Sequence, residues 1–184
     1  MKFILASNSP RRRELLGALI SDFTVEPSHF SEEGAGLSAR DTALAFACGK
    51  AADVAARRPG CAVLGADTVV ALGDRILGKP RSADEARRML ALLSGEAHTV
   101  YTGVCLIAPQ GTYSDVVETR VYFRPLEEEL IEAYVESGLP MDKAGAYGIQ
   151  DGYPLVDRYE GSFTNVVGLP VERLKAILRE AGLI

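Results

Sequence analysis

The distribution of apolar and polar residues along the chain predicts alternating strands and helices. Short apolar runs rich in β-branched residues predict strands at 3–6, 23–27, 62–70, 72–77, 98–107 and 113–123. Apolar residues at helical spacing predict helices from Ser9 onward and at 38–57, 82–93, 126–137 and beyond Pro170. The strand at 113–123 partly alternates between polar and apolar residues, which is typical of an antiparallel pair with one solvated face. The pattern therefore predicts an α/β fold.

The run 62–70 is the strand on which the functional interpretation depends. Apolar residues precede and follow Asp67 within it, so this strand is expected to be covered on both faces. An ionised carboxylate is rarely buried without a partner. Asp67 therefore predicts a metal ion, a cationic partner or a cleft open to water. A surface aspartate at a strand end is the common alternative, and the apolar residues on both sides favour a site.

The first helix carries positive charge at the wrong end. Ser9 and Pro10 are suited to the N-cap and first helical positions, and Arg11, Arg12 and Arg13 follow at once. Cations oppose the helix dipole there, whereas a bound anion would be stabilised by free N–H groups and by the arginines. The segment thus predicts either an anion site or a solvated basic patch.

Composition excludes several classes of protein. The 184 residues suffice for one domain or two small lobes, and the formal charge of -5 is not that of a duplex nucleic-acid binder. Cys48, Cys61 and Cys105 lack the spacing of a disulfide framework or zinc ribbon, and His29 and His98 have no partner at metal-ligand spacing. No segment approaches a membrane span or a signal peptide, so we expect a cytoplasmic protein without membrane or nucleic-acid partners.

Other polar residues are ambiguous from their local pattern. Lys50 flanks the apolar face of its helix, and a lysine that extends along the surface is the default interpretation. Lys79 lies between a glycine and a proline, so a turn sets its backbone. The segments 142–150 and 161–170 have no helical or strand period and are rich in small residues, as ligand-binding loops and ordinary turns both are.

Several segments together resemble one family, the Maf-type nucleoside triphosphate pyrophosphatases, also called septum formation proteins. They occur in the order of that family and span nearly the whole chain: 5–12, 65–68, 78–80, 94–103, 141–150 and 165–170. The resemblance implies a mixed, twisted central sheet flanked by helices, with two lobes and a cleft between them. We expect residues 1–184 to form a single domain of this type, paired as a homodimer.

The resemblance also implies an activity. It is the hydrolysis of a nucleoside triphosphate to the monophosphate and pyrophosphate, with a divalent cation such as magnesium or manganese. Asp67 corresponds to the proton acceptor proposed for the family. Arg11, Thr68 and Gln150 correspond to the positions that distinguish its branches, and these residue types resemble the branch that acts on dTTP and UTP. Ser7, Arg12, Lys50 and Lys79 correspond to further polar positions of the cleft.

The expected metal ligands are Asp67 and an acidic residue after the second strand, for which we favour Glu32 over Glu33. Magnesium takes few carboxylates and keeps several waters, which suits two such ligands. Two other functions remain open. One is a pyrophosphatase for inosine or xanthosine triphosphates, and the other is a non-catalytic regulator of septum formation.

Overall fold

The computed structural model describes residues 1–33 and 36–184. Its strands are β1 (Phe3–Leu5), β2 (Thr24–Val25), β3 (Ala62–Leu72), β4 (Arg75–Leu77), β5 (Ala97–Ala108), β6 (Gly111–Phe123) and β7 (Val156–Glu160). Its α-helices are α1 (Pro10–Gly17), α2 (Ala39–Arg57), α3 (Ala83–Leu93), α4 (Glu128–Glu136), α5 (Phe163–Val167) and α6 (Val171–Glu180). Two 3-10 helices follow α4, at Leu139–Asp142 and Ala144–Ala146.

In the described ranges the strands form one mixed sheet with the order β2-β1-β3-β5-β6-β7, and β4 pairs with β3. The strand β1 runs parallel to both of its neighbours, whereas the β3, β5, β6 and β7 pairings are antiparallel. The expected mixed α/β architecture is therefore confirmed. The long strands β3 and β5 pair over nine positions, from Val63–Ile107 to Ala71–Thr99, and extend through the centre of the molecule.

The apolar core is divided between the two ends of the central strands. Leu64 belongs to a cluster with α1 and α6, whereas Val70 of the same strand packs with α3, α4 and the 3-10 helices. A third cluster lies beneath α2, where Val54 packs against Val63. Because one strand contributes to both end clusters, the two lobes share a continuous sheet.

Serine residues begin three of the helices as the sequence predicts. The side chains of Ser9, Ser38 and Ser82 accept hydrogen bonds from the backbone N–H three residues later. Each bond satisfies one of the N–H groups that a helix start leaves without an internal partner. These caps fix where α1, α2 and α3 leave the sheet.

The sequence pattern was wrong about several short elements. The strand β7, the helix α5 and the 3-10 helices were not predicted. The helix α1 ends at Gly17, so Leu19 and Ile20 lie beyond it, although both still pack against the core. The predicted strand at 23–27 is reduced to Thr24–Val25. In the part of the chain that the structure describes, no helix combines the length and apolar character needed to cross a membrane.

Candidate active site

A cleft of about 600 Å³ lies where the start of α1, the middle of β3, the helix α2 and the segment 142–150 meet. It is lined by all the side chains that the sequence analysis singled out as site residues: Ser7, Arg11, Arg12, Glu32, Lys50, Asp67, Thr68, Lys79 and Gln150. These residues come from distant parts of the chain, so the fold places them together. Their individual roles in binding and catalysis stay predictions.

Asp67 lies in the middle of β3, opposite Gly103 of β5, and only 7% of its surface is exposed. Its Oδ1 atom is 2.6 Å from Nζ of Lys50. A cationic partner and an opening to the cleft both offset the cost of burying the carboxylate. Asp67 therefore has two of the three compensations that the sequence led us to expect.

Lys50 reaches Asp67 because α2 lies directly on the sheet. A Cβ atom added at Gly103 would be 2.2 Å from the backbone oxygen of Ala43, and one added at Gly65 would be 2.2 Å from that of Ala47. No larger residue fits beneath the helix at either position. Lys50 lies further along this packed part of α2 and turns into the cleft. The interpretation of Lys50 as a surface lysine, taken from its local pattern, is thus wrong.

Lys50 also contacts a second carboxylate. Its Nζ atom is 2.6 Å from Oε1 of Glu32, so one ammonium group lies between Glu32 and Asp67. Glu32 lines the cleft. This placement agrees with our preference for Glu32 over Glu33, and its role as a metal ligand stays a prediction.

The two carboxylates that share Lys50 differ in acidity. Burial raises the pKa of Asp67 above its usual value, although the charge of Lys50 and its hydrogen bond oppose the shift. Burial acts in the same direction on Glu32, but the hydrogen bond and charge of Lys50, with the charges of Lys79 and Arg12, leave its pKa below the usual value. Pairs of carboxyl groups with separated pKa values are typical of acid–base sites. Asp67 is the better proton acceptor of the two, and Glu32 stays ionised.

Arg12 connects three segments at the floor of the cleft. Its guanidinium donates to the backbone oxygen of Gly168 at 2.7 Å, to Oγ of Ser7 at 3.2 Å and to Oγ1 of Thr68 at 3.0 Å. Thr68 Oγ1 is in turn 2.9 Å from Oγ1 of Thr102. Burial lowers the pKa of Arg12, and the charge of Asp67 opposes that shift. An arginine held this firmly presents its charge to the cleft in a fixed direction.

Three of the predicted residues lie nearer the mouth of the cleft. Lys79 and Gln150 are exposed, and Arg11 is partly buried. Arg11 pairs with Asp142 at 3.0 Å, from the opposite side of the cleft. Arg11 and Arg12 thus line the cleft, whereas Arg13 is exposed and lies outside its lining. Arg11 also has a carboxylate partner that the local pattern did not indicate.

Sequence reasoning did not single out Asp142, Lys143 or Tyr147, which also line the cleft. All three fall in the segment 142–150, whose lack of periodicity and small residues suggested close approach to a ligand. The sequence therefore indicated the segment, but not its charged side chains.

A comparison with known families identifies the family of this chain. The family described as "Maf-like protein" matches residues 2–181. The chain belongs to the Maf family. The expected family is thus confirmed over nearly the whole chain.

Three relatives of this Maf chain carry the same name. It is 52% identical to the dTTP/UTP pyrophosphatase of Thermococcus onnurineus, with 97% of each chain covered. It is also 52% identical to the dTTP/UTP pyrophosphatase of Myxococcus xanthus, covering 98% of this chain and 92% of that protein. The corresponding protein of Carboxydothermus hydrogenoformans is 49% identical, with 99% and 100% covered.

Among solved structures, the Maf chain is similar to the Staphylococcus aureus Ham1 protein. The TM-score is 0.57 at 14% sequence identity, with 98% of this chain and 100% of that chain covered. At this identity the likeness concerns the fold alone. It supports the two-lobed mixed sheet that the family resemblance implied.

The donor atoms of the Maf cleft suit a hard divalent cation. In the described ranges no group of three or more His, Cys, Asp and Glu side chains has the arrangement of a metal site. Glu32 and Asp67 nevertheless present carboxylate oxygens on either side of one ammonium. Magnesium commonly uses one or two carboxylates together with substrate phosphates. The residues present therefore fit such an ion once a nucleotide supplies its phosphate oxygens.

Proposed function

We propose that this chain is a nucleoside triphosphate pyrophosphatase that hydrolyses dTTP and UTP to the monophosphate and pyrophosphate, and so removes nucleotides from the cellular pool. One observation carries the proposal. A buried carboxylate with a raised pKa, that of Asp67, faces a cleft in which Arg12, Lys50 and Lys79 present positive charge. The names and high identity of the full-length relatives support this substrate pair.

The cationic residues account for binding of the triphosphate. Arg12 and Lys50 line the cleft and are partly buried, and Lys79 is exposed near its mouth. Charge-assisted hydrogen bonds to phosphate are about twice as strong as neutral ones. In our proposal Lys50, which contacts both Glu32 and Asp67, transfers part of its hydrogen bonding to the substrate.

Asp67 accounts for activation of the nucleophile. Its carboxylate accepts the proton of a water molecule, and the resulting hydroxide attacks the α-phosphorus and displaces pyrophosphate. A carboxylate whose pKa is raised toward neutrality accepts this proton more readily than an ordinary one. Lys50 keeps the group ionised in the resting state, because its positive charge favours the carboxylate form.

Glu32 and Asp67 would hold the divalent cation, magnesium or manganese. Such an ion, when bound, polarises the phosphoryl oxygens and stabilises the charge that develops on the departing pyrophosphate. Since the pKa of Glu32 lies below its usual value, Glu32 remains available as an anionic ligand throughout the neutral range.

We assign base selection to Arg11, Thr68 and Gln150. Arg11 offers side-chain donors, and Gln150 offers both donors and an acceptor, to the edge of a pyrimidine. The hydroxyl of Thr68 already bonds Arg12 and Thr102, so in our proposal Thr68 acts by fixing Arg12. A homodimer and a cytoplasmic location are also part of the proposal, and size-exclusion chromatography with light scattering tests the first.

A screen of canonical and modified nucleoside triphosphates, each with magnesium and with manganese, tests this function. We expect pyrophosphate release to be fastest with dTTP and UTP and to stop when the metal is chelated. Preference for inosine or xanthosine triphosphate would favour the related pyrophosphatase activity instead. No turnover with any nucleotide and either metal would favour a non-catalytic role in septum formation.

A further inference from the structure

A charged contact crosses the cleft between Arg11 and Asp142. Nη1 of Arg11 lies 3.0 Å from Oδ2 of Asp142, and its Nη2 lies 3.5 Å from the backbone oxygen of the same residue. The two residues are 131 positions apart, and both line the cleft. This one contact therefore joins the start of α1 to the 3-10 helix on the other side of the cleft.

Asp142 is itself held in place from the opposite direction. Its second oxygen, Oδ1, lies 3.0 Å from Nζ of Lys143. The Lys143 side chain is only 8% exposed, and its Nζ atom also donates to the backbone oxygen of Leu139 and lies 3.3 Å from Oδ2 of Asp151. A buried ammonium with three oxygen partners has little freedom to move.

The same network continues toward Gln150. Oδ2 of Asp151 accepts a hydrogen bond from the hydroxyl of Tyr134 at 2.7 Å. That hydroxyl accepts a hydrogen bond from the backbone N–H of Gly148 at 2.8 Å. Polar contacts thus extend without a break from Arg11 to the turn that carries Gln150, the other residue of the cleft mouth to which we assign base selection.

A role in fold stability does not explain the Arg11–Asp142 pair. The side chain of Asp142 is 59% exposed, and exposed ion pairs contribute little to stability. Arg11 does need a counter-charge, because it lies beside Arg12 and Arg13 at a helix end whose dipole repels cations. Asp142 supplies that charge and also fixes the direction of the guanidinium.

We propose that Asp142 is a positioning residue for nucleotide selection: through its bond to Arg11 it sets the direction in which Arg11 meets the base of a pyrimidine nucleoside triphosphate. The inference rests on the proposed function and extends it to a residue with no assigned role. The Lys143 network holds Asp142 and the turn of Gln150 in one arrangement, so the two base-selecting side chains keep a fixed separation.

Asp142→Asn tests the proposal, because it keeps the shape of the side chain and removes its charge. We expect KM for dTTP to rise roughly tenfold, the size of one charge-assisted hydrogen bond, while kcat changes less than about twofold. The ratio of kcat/KM for dTTP to that for purine nucleotides should fall. Asp142→Glu, which keeps a carboxylate, should recover part of this ratio.

Asp84→Asn is the matched control, since Asp84 forms an exposed pair with Arg87 outside the cleft. It should leave the selectivity ratio unchanged. In an Arg11→Ala background, Asp142→Asn should have no further effect on the ratio, because Asp142 acts through Arg11. If the wild-type chain hydrolyses dTTP but Asp142→Asn leaves the selectivity ratio unchanged, this inference alone is overturned. Absence of dTTP turnover by the wild-type chain would overturn the proposed function and the inference with it.

Discussion

Lys50 Nζ lies 2.6 Å from Oδ1 of Asp67, which makes a helix residue the direct counter-charge of a carboxylate in the middle of the sheet. The contact exists because glycines at 65 and 103 let α2 lie against β3 and β5. Burial raises the pKa of the Asp67 carboxylate, and the neighbouring ammonium of Lys50 keeps that carboxylate ionised. Both properties are needed in a group that must accept a proton near neutral pH.

Removing the charge of Lys50 should change the acidity of Asp67. In Lys50→Met the carboxylate loses the cation that lowers its pKa, so the pKa of Asp67 should rise further. Since Asp67 accepts a proton only when ionised, the acidic limb of the pH profile of kcat/KM should move to higher pH by a similar amount. Lys50→Arg keeps the charge and should show a smaller shift. An acidic limb that stays in place in an active Lys50→Met variant would separate Lys50 from the ionisation of Asp67.

Replacing Asp67 by asparagine should stop turnover while leaving nucleotide binding largely intact. The amide keeps the shape of the side chain but cannot accept a proton, and loss of general base catalysis costs roughly 100-fold to 10,000-fold in rate. Pyrophosphate release measures kcat, and titration calorimetry measures the Kd for dTTP. A variant with a near-normal rate would remove Asp67 from the mechanism.

Gln150→Glu should reduce the preference for pyrimidine nucleotides, because it replaces the amide donors of the side chain by a carboxylate that only accepts hydrogen bonds. The measurement is the ratio of kcat/KM for dTTP and UTP to that for purine nucleoside triphosphates. The matched control is Gln110→Glu in the turn between β5 and β6, where Gln110 donates to the backbone oxygen of Ala181. An unchanged substrate ranking in Gln150→Glu would show that Gln150 has no part in selection.

The elements that the sequence predicted are those with a strong apolar period. The helix α2 and the strands β3 and β5 form most of the central packing, and their apolar faces are visible in the sequence. The strand β7 was missed because it is an edge strand whose residues are nearly all exposed, so it has no apolar face. The helix α5 has five residues, which is too short to establish a helical period.

The site was predictable where a residue broke a local rule. Asp67 interrupts an apolar strand, and the arginines of α1 oppose the helix dipole, so both drew attention. Lys50 breaks no rule in its helix, and from its pattern alone it was assigned to the surface. Only the family resemblance placed it in the cleft. The partnership of Arg11 with Asp142 depends on how the lobes meet, and no local pattern carries that information.

Adding a methyl group at Gly103 should destabilise the fold and displace Lys50. The new Cβ atom of Gly103→Ala would overlap the backbone oxygen of Ala43, 2.2 Å away, so α2 must move from the sheet. Overpacking of this kind costs about 1–3 kcal/mol. Gly17→Ala is the control, because its Cβ atom meets nothing within 4 Å. Urea unfolding should show a lower midpoint for Gly103→Ala only, and an equal midpoint in the two variants would contradict the close packing.

His98 should make the stability of the protein depend on pH between about 6.5 and 4. Its ring is 2% exposed and packs edge-on against the rings of Phe123 and Tyr147. Its Nε2 lies 2.6 Å from the hydroxyl of Tyr147, whereas Nδ1 is buried with no hydrogen-bond partner among the described residues. Burial therefore lowers the pKa of His98 from 6.5 to about 4.

The direction of this pH dependence follows from whether the folded or the unfolded chain binds the proton of His98. Below its ordinary pKa of 6.5 the histidine is protonated in the unfolded chain but stays neutral in the folded one until about pH 4. The contribution of neutral His98 to the free energy of unfolding is thus fully present above pH 6.5. It is lost as the pH falls toward 4, by on the order of 3 kcal/mol. Denaturant unfolding across this range should show a shallower pH dependence in His98→Gln than in the wild type. His29→Gln, at an exposed histidine, should retain the wild-type dependence. Equal pH dependence in His98→Gln and the wild type would show that His98 titrates normally in the folded protein.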